Sequence, residues 1–80
     1  MCSSDLIFVF PGKRLSLQYH HQRAEVWVIV QGSGLMTLGE KRFQVSAGDV
    51  VRIEKEQRHR IENNTAETLV LIEKIGRAHV

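Results

Sequence analysis

The stretch that decides the fold is PGKRLSLQYHHQRAEVWVIVQG, Pro11–Gly32. It opens with a Pro-Gly turn signal, after which polar and apolar residues alternate along Lys13–His20. This period of two predicts a β-strand with one polar face, on which we place Gln18 and His20. After a polar bend, Glu25–Gln31 is rich in Val, Ile and Trp, which predicts a well-buried strand. Polar residues are therefore concentrated between two apolar strands.

The rest of the chain alternates short apolar segments with turn signals rich in Gly, Asn and Asp, and no segment has helical periodicity. This pattern predicts an all-β sandwich or barrel. Leu15, Leu17 and Tyr19 form a predicted apolar face. We expect it to be covered by the chain's own second sheet, by a second copy in a homodimer, or by a flanking domain. The further predicted strands are 7–10, 35–38, 41–45, 50–54, 59–62 and 68–72.

Composition restricts the class of protein. With 80 residues the chain is long enough for one small domain. The net charge of +2, with acidic and basic residues interleaved, argues against a nucleic-acid-binding surface. No apolar run approaches the ~20 residues that cross a bilayer, and no targeting segment is recognisable. The single Cys2 excludes an intramolecular disulfide and fits a reducing compartment, so we expect a cytoplasmic protein.

The two ends look foreign to the domain. The string TGCTCTTCCGATCT encodes Cys2–Leu6, and its reverse complement, read in frame after Lys74, encodes Ile75–Ala78. One adapter-like DNA string thus accounts for both ends. We therefore expect residues 1–6 and 75–80 to be non-native and residues 7–74 to be a single domain, truncated at both ends.

The spacing of the polar residues resembles that of the cupin family, whose two motifs are G-x5-H-x-H-x3,4-E-x6-G and G-x5-P-x-G-x2-H-x3-N. The chain keeps every spacing of both. The residues at these positions are Gly12, Gln18, His20, Glu25 and Gly32 in the first motif, and Gly48, Glu54, Glu56, His59 and Asn63 in the second. The resemblance implies a cupin double-stranded β-helix, or jelly-roll barrel.

One departure from the motif is informative. Gln18 stands where the motif has its first His, and a Gln-x-His pair is similar to the zinc site of phosphomannose isomerases. The wording of the first stretch resembles the C-terminal cupin of type II phosphomannose isomerases, often fused behind a mannose-1-phosphate guanylyltransferase domain. Members of that family usually have His where this chain has Gln22 and Val26, a departure that bears on the groups around the ligands and on the substrate.

The resemblance implies that Gln18, His20, Glu25 and His59 bind a divalent metal. Local geometry supports this set. Gln18 and His20 are two apart on a strand and share a face, Glu25 follows a bend, and His59 comes from a distant hairpin. The mixed nitrogen and oxygen donors suit Zn²⁺ first, with Fe²⁺, Mn²⁺ and Co²⁺ as alternatives.

The implied function is isomerisation of mannose 6-phosphate and fructose 6-phosphate, in GDP-mannose and polysaccharide biosynthesis. Arg14, on the polar face, would bind the substrate phosphate through its planar guanidinium or form an ordinary ion pair at the barrel rim. Gln22, if the strand continues, would contact the substrate or a metal ligand. No residue is identified as the proton-transfer base. Two alternatives stay open: a non-catalytic sugar-binding or assembly module attached to a nucleotidyltransferase, and another metal-dependent cupin enzyme.

Three neighbouring positions have simpler interpretations. His21 has the opposite parity to His20, which favours a surface position. Trp27, at a strand centre, favours a core role over a sugar platform. Glu54 and Glu56 replace the motif's Pro and Gly, so we expect the loop before His59 to be less tightly fixed.

Overall fold

The computed structural model describes residues 3–18 and 24–75. These residues form eight β-strands and no helix, which confirms the predicted all-β class. Accordingly, no helix in these two ranges is long and apolar enough to span a membrane. The strands are β1 Ser3–Val9, β2 Arg14–Gln18, β3 Glu25–Gln31, β4 Ser33–Leu38, β5 Lys41–Ser46, β6 Val50–Ile53, β7 His59–Glu62 and β8 Leu69–Ile75.

The strands form two four-stranded antiparallel sheets, which we call sheet A and sheet B. The strand order is β1-β8-β3-β6 in sheet A and β2-β7-β4-β5 in sheet B. Except at the β4–β5 hairpin, consecutive strands lie in different sheets. The chain therefore winds between two facing layers, which is the jelly-roll arrangement implied by the cupin resemblance.

The core lies between the two sheets and follows the period of two along each strand. On β3, the first, third and fifth residues, Glu25, Trp27 and Ile29, are buried, and those between them are half-buried. Apolar side chains from both sheets complete this layer. The buried apolar residues are Val9, Trp27, Ile29, Met36, Val45, Val51, Ile53, Ile61, Leu69 and Leu71.

Gly32, which ends the first motif, is required by its surroundings. It has a φ of +80°, and a Cβ atom there would lie 2.7 Å from the carbonyl oxygen of Thr68. Both the left-handed conformation and the close approach select glycine. This residue allows the chain to pass from β3 in sheet A to β4 in sheet B.

The predicted strict alternation along β2 is wrong. Leu15 pairs with Ile61 and Gln18 pairs with His59, so two residues of β2 stand opposite one residue of β7. This β-bulge resets the parity of the strand. Leu15 packs against the core, so the chain's own second sheet covers it, as one of our alternatives expected.

Among the described residues, an exposed apolar surface lies on the outer face of sheet A. Register pairs connect Leu6 to Ile72, Ile72 to Val28, and Val28 to Val50, across all four strands. Leu6 is 59% exposed and Val50 is 64% exposed. The sequence pattern had placed the apolar face on β2 instead.

Part of the two predicted foreign ends is in strand conformation. Ser3, Ser4 and Asp5 pair with Ile75, Lys74 and Glu73, respectively, and so extend the β1–β8 ladder. The strand β1 therefore begins before the predicted segment 7–10, and β8 ends after the predicted segment 68–72.

Candidate metal site

Glu25 is the first residue of β3 and points into the core. Its side chain is 1% exposed. The alternation that buries Trp27 and Ile29 on the same face also buries this carboxyl group. A buried carboxyl group is costly unless it has polar partners. Its Oε1 accepts a hydrogen bond of 2.9 Å from the Trp27 indole Nε1–H.

His59 is the first residue of β7 and enters the core from sheet B. It is 2% exposed. Its ring Nδ1 lies 3.0 Å from the backbone carbonyl oxygen of Gln57. Because a carbonyl can only accept, Nδ1 carries the proton in this bond. In the neutral ring Nε2 then has the lone pair, and it is one of the two nitrogens through which histidine binds metals.

The loop that presents His59 closes as a turn although it lacks the motif's Pro and Gly. The amide of Gln57 donates to the Glu54 carbonyl at 3.1 Å, and the Gln57 side chain accepts from the Glu54 amide at 3.0 Å. Glu56 adopts a φ of 63°, in the left-handed region that the motif's Gly favours. The turn is therefore kept, at a conformational cost of roughly 1–2 kcal/mol for a residue with a Cβ atom.

Trp27 contacts both Glu25 and His59 in the core. Besides its bond to Glu25, its ring lies 5.3 Å from the His59 ring, centroid to centroid, with the planes at 86°. This edge-to-face arrangement is favourable for aromatic rings. Trp27 is 2% exposed, so its predicted core position is confirmed. Its polar contact with Glu25 is a further role that the sequence did not indicate.

Glu73 on β8 was missed by the sequence analysis. It pairs with Trp27 in the β3–β8 register and is half-buried. Burial, followed by a hydrogen bond to Glu25 and the charge of Glu25, raises the pKa of Glu73 from 4.5 to about 7, against a lowering by the Trp27 hydrogen bond. Its parity with the buried Leu69 and Leu71 was the signal that could have found it. We call Glu25, Trp27, His59 and Glu73 the Trp27 cluster.

The structure places the predicted ligands only in part. The backbone of Gln18 is paired with His59, directly beside the Trp27 cluster. The side chain of Gln18, and all of His20, His21 and Gln22, lie outside the described residues. Within the described ranges, no three His, Cys, Asp or Glu side chains form a group that could hold a metal ion. The four-ligand set therefore stays a prediction.

Arg14 does not lie where the sequence pattern placed it. Its backbone lies opposite that of Glu62 in the β2–β7 ladder, and its side chain is exposed. Its neighbour Leu15 packs against the core. The bulge after Leu15 separates its parity from that of Gln18. Arg14 therefore lies on the outer side of sheet B. It lines a surface hollow of about 560 Å³ together with Gly12, Lys13, Glu62, Asn63 and Asn64.

Asn63, the last residue of the second motif, has a structural role. Its Nδ2 donates to the carbonyl oxygens of Val9 at 2.8 Å and Glu67 at 2.6 Å. Its Oδ1 accepts from the Thr65 amide at 2.9 Å and from the Thr65 hydroxyl at 2.7 Å. These four bonds use the full capacity of a side-chain amide. We call Val9, Asn63, Thr65 and Glu67 the Asn63 cluster.

The chemistry of the described donors suits a divalent cation. Glu25 supplies a carboxylate and His59 an imidazole, both buried, and both are oriented by a neighbouring hydrogen-bond partner. Such outer partners are typical of metal ligands. Nitrogen and oxygen donors without a thiolate fit Zn²⁺, Fe²⁺, Mn²⁺ or Co²⁺.

Comparison with known proteins agrees with this fold. The alginate biosynthesis protein AlgA of Pseudomonas aeruginosa is 40% identical over 67 residues. Mannose-1-phosphate guanylyltransferase 2 of Escherichia coli O157:H7 is 39% identical over 67 residues. In each case the match covers 84% of this chain but 14% of the relative, so the chain spans a small part of their length.

A solved structure and a family comparison complete the assignment. A cupin 2 conserved barrel domain protein from Salinispora arenicola superimposes with a TM-score of 0.88 at 26% identity, over 96% of this chain and 64% of that one. The family described as mannose-6-phosphate isomerase C-terminal matches residues 3–78. The chain therefore belongs to the mannose-6-phosphate isomerase C-terminal family and has the cupin fold.

Proposed function

We propose that the chain is the metal-binding domain of a sugar-phosphate isomerase that interconverts mannose 6-phosphate and fructose 6-phosphate. The observation that carries the proposal is the buried pair of Glu25 and His59, which enter the core from opposite sheets and contact the same indole. Buried carboxyl and imidazole groups that converge are a signature of a functional site. Membership of the isomerase C-terminal family supports a sugar phosphate as the substrate.

In this proposal Gln18, His20, Glu25 and His59 hold the cation, with Zn²⁺ as the first candidate. A bound divalent cation would act as a Lewis acid that polarises the sugar carbonyl. The Gln57 carbonyl accepts from the His59 Nδ1, so in this proposal His59 would bind the cation through Nε2. Trp27 keeps Glu25 oriented through Oε1.

The position of Arg14 does not support the sequence-based expectation that it binds the substrate phosphate. Arg14 is exposed on the outer side of sheet B, on the face away from Leu15 and the core. A side chain there does not share the face of the buried Glu25 and His59. We therefore do not retain Arg14 as the phosphate ligand, whereas Gln22 stays a predicted substrate contact.

Substitution of His59 tests the metal site. The purified chain, stripped with a chelator and titrated with Zn²⁺ in a competition assay, should bind one equivalent. His59→Ala should weaken binding by about 100-fold or more, beyond the 10–100-fold typical of outer partners. His21→Ala is the matched control, because His21 follows the proposed ligand His20 and is predicted to face outward. This variant should bind Zn²⁺ like the original chain. Equal binding by His59→Ala, or none by the original chain, would contradict the proposal.

The isomerase activity is measured on the same preparations. A coupled assay from mannose 6-phosphate should show turnover that requires Zn²⁺ and that His59→Ala removes. Turnover that persists in the stripped chain would contradict the metal's role. Stoichiometric metal binding without turnover would contradict the isomerase and favour a second candidate function.

That second candidate is a non-catalytic sugar-binding or assembly module attached to a nucleotidyltransferase. It is favoured by the relative named mannose-1-phosphate guanylyltransferase 2, of which the matched region is 14%. It also accommodates Gln22 and Val26, where His is usual in the type II family. Zn²⁺-dependent binding of mannose 6-phosphate without isomerisation is its expected result.

A further inference from the structure

Trp27 occupies a position from which one side chain reaches both described ligands. It lies two residues after Glu25 on β3, so the two side chains leave the strand on the same face. It is 2% exposed and belongs to the buried core. Packing in the core therefore holds the indole in one orientation, which a residue that positions other side chains requires.

The contact with Glu25 is polar and specific to tryptophan. The indole Nε1–H donates to Oε1 over 2.9 Å in a buried environment. Hydrogen bonds from N–H groups to carboxylates are roughly twice as strong as neutral ones. Since Nε1 is the indole's only hydrogen-bonding atom, a phenylalanine at this position would fill most of the space and lose this bond entirely.

The contact with His59 is made by the same ring. The two ring centroids are 5.3 Å apart and the planes are nearly perpendicular, at 86°. The Gln57 carbonyl fixes the other side of the imidazole at Nδ1. Two restraints in different directions determine where Nε2 points.

We infer that Trp27 is a positioning residue for the metal site, which orients the Glu25 carboxylate through its indole N–H and the His59 imidazole through its ring. A single side chain thereby couples a ligand from sheet A to a ligand from sheet B. Glu73 lies opposite Trp27 in the β3–β8 register, so the cluster extends to β8. This inference rests on the proposed metal-binding function.

Trp27→Phe separates the two contacts. It keeps an aromatic ring beside His59 and removes the donor to Glu25, so Zn²⁺ affinity should fall about 10–100-fold. Val51→Ala is the matched control. Val51 is buried and lies opposite Trp27 in the β3–β6 register, so its substitution removes core packing but no hydrogen bond to Glu25. Its Zn²⁺ affinity should change less than about threefold, although the packing defect lowers stability.

The competition titration tests the metal-binding proposal and the positioning role of Trp27 separately. If the original chain does not bind Zn²⁺, the metal-binding proposal fails. If the original chain binds and Trp27→Phe binds equally well, or Val51→Ala weakens binding as much as Trp27→Phe, positioning by Trp27 fails and Trp27 is a packing residue only.

A measurement on the metal-free chain keeps the inference testable if Trp27→Phe does not fold. Trp27 is the single tryptophan, so the chain has one indole N–H resonance. Its proton should resonate downfield and exchange slowly in the original chain, and Glu25→Gln should move it upfield because a neutral acceptor replaces the carboxylate. An indole resonance that Glu25→Gln leaves in place would overturn the inference.

Discussion

Asn63 and Glu25 are each 1% exposed, but their polar atoms are satisfied in different ways. In the Asn63 cluster, two donors and two acceptors of one neutral amide meet four complementary groups. In the Trp27 cluster, two carboxyl groups lie against each other, and burial, followed by the hydrogen bond to Glu25 and the charge of Glu25, raises the pKa of Glu73 to about 7, although the hydrogen bond from Trp27 lowers it. The first arrangement pairs the donors and acceptors of one neutral amide, whereas the second brings two acidic side chains together in the core.

The difference separates a structural residue from a candidate functional one within a single motif. His59 and Asn63 are four residues apart and both belong to the second cupin-like motif. Asn63 joins the end of β1 to the 63–67 turn through backbone carbonyls, whereas His59 contacts the Trp27 cluster. The role of a motif position therefore follows from the partners of its side chain, and substitutions of His59, Asn63, Glu73 and Arg14 test this division.

Removing Asn63 should have the largest effect on stability. Asn63→Ala leaves the Val9 and Glu67 carbonyls without their Nδ2 donor, and each unsatisfied buried group costs about 1–3 kcal/mol. We expect the free energy of unfolding to fall by about 3 kcal/mol or more in denaturant titrations. Asn64→Ala, at the exposed neighbouring residue, should change it by less than about 0.5 kcal/mol.

The same variant sharpens the comparison through its metal affinity. If the Asn63 cluster is purely structural, Zn²⁺ affinity of folded Asn63→Ala stays within about threefold of the original chain. A loss comparable to the ~100-fold expected for His59→Ala would remove the distinction between the two clusters.

The Trp27 cluster should make the metal-free chain less stable as pH rises. Because folding raises the pKa of Glu73 from 4.5 to about 7, the folded state binds this proton more tightly than the unfolded state. The resulting stabilisation is fully present below pH 4.5, declines up to about pH 7 and is absent above it. Glu25 and Asp5 are the acidic groups that contribute to the shift.

Glu73→Gln tests this pH dependence by removing the titrating group. Denaturant titrations of the metal-free chain between pH 4.5 and 8 should show a smaller decline in unfolding free energy for Glu73→Gln than for the original chain. Glu40→Gln, at an exposed turn position, is the matched carboxyl-to-amide control and should keep the original slope. Parallel curves for all three proteins would contradict the raised pKa of Glu73.

Arg14 should have the smallest effect, because it belongs to neither cluster. Arg14→Ala removes an exposed side chain on the outer side of sheet B, so stability should change by less than about 0.5 kcal/mol. The KM for mannose 6-phosphate should stay within about twofold. Arg42→Ala, which removes a 3.7 Å ion pair with Glu62 on the same sheet, is the matched control and should cost at most about 1 kcal/mol. A tenfold rise in KM for Arg14→Ala alone would restore the sequence-based assignment.

The strands were predictable because their physical signal is local. Gly and Asn turns and the period of two located all eight strands of the described residues, most of them within two residues of their bounds. The ends of β1 and β8 were the exception, since polar residues there are held in the ladder by partner strands. Such pairing is a long-range property that single-sequence periodicity does not contain.

The burial of two candidate ligands was predictable from the motif, but the groups around them were not. The motif spacing led to Glu25 and His59, and both are buried. Glu73 was missed because the predicted last strand ended at Ile72, one residue too early to apply its parity. Arg14 was misplaced because alternation was assumed to continue through a strand that contains a bulge.

The bulge in β2 also determines which changes of length this strand can absorb. Between the pairs Leu15–Ile61 and Gln18–His59, β2 has two residues where β7 has one. Deleting either Ser16 or Leu17 would give a regular ladder and keep both flanking pairs, so such a deletion is compatible with the fold. An insertion there, or a length change on the β7 side, would shift one pair relative to the other. The five-residue gap between Gly12 and Gln18 thus includes one residue that has no counterpart across the ladder, and an alignment of relatives should tolerate a gap at that point in preference to its neighbours.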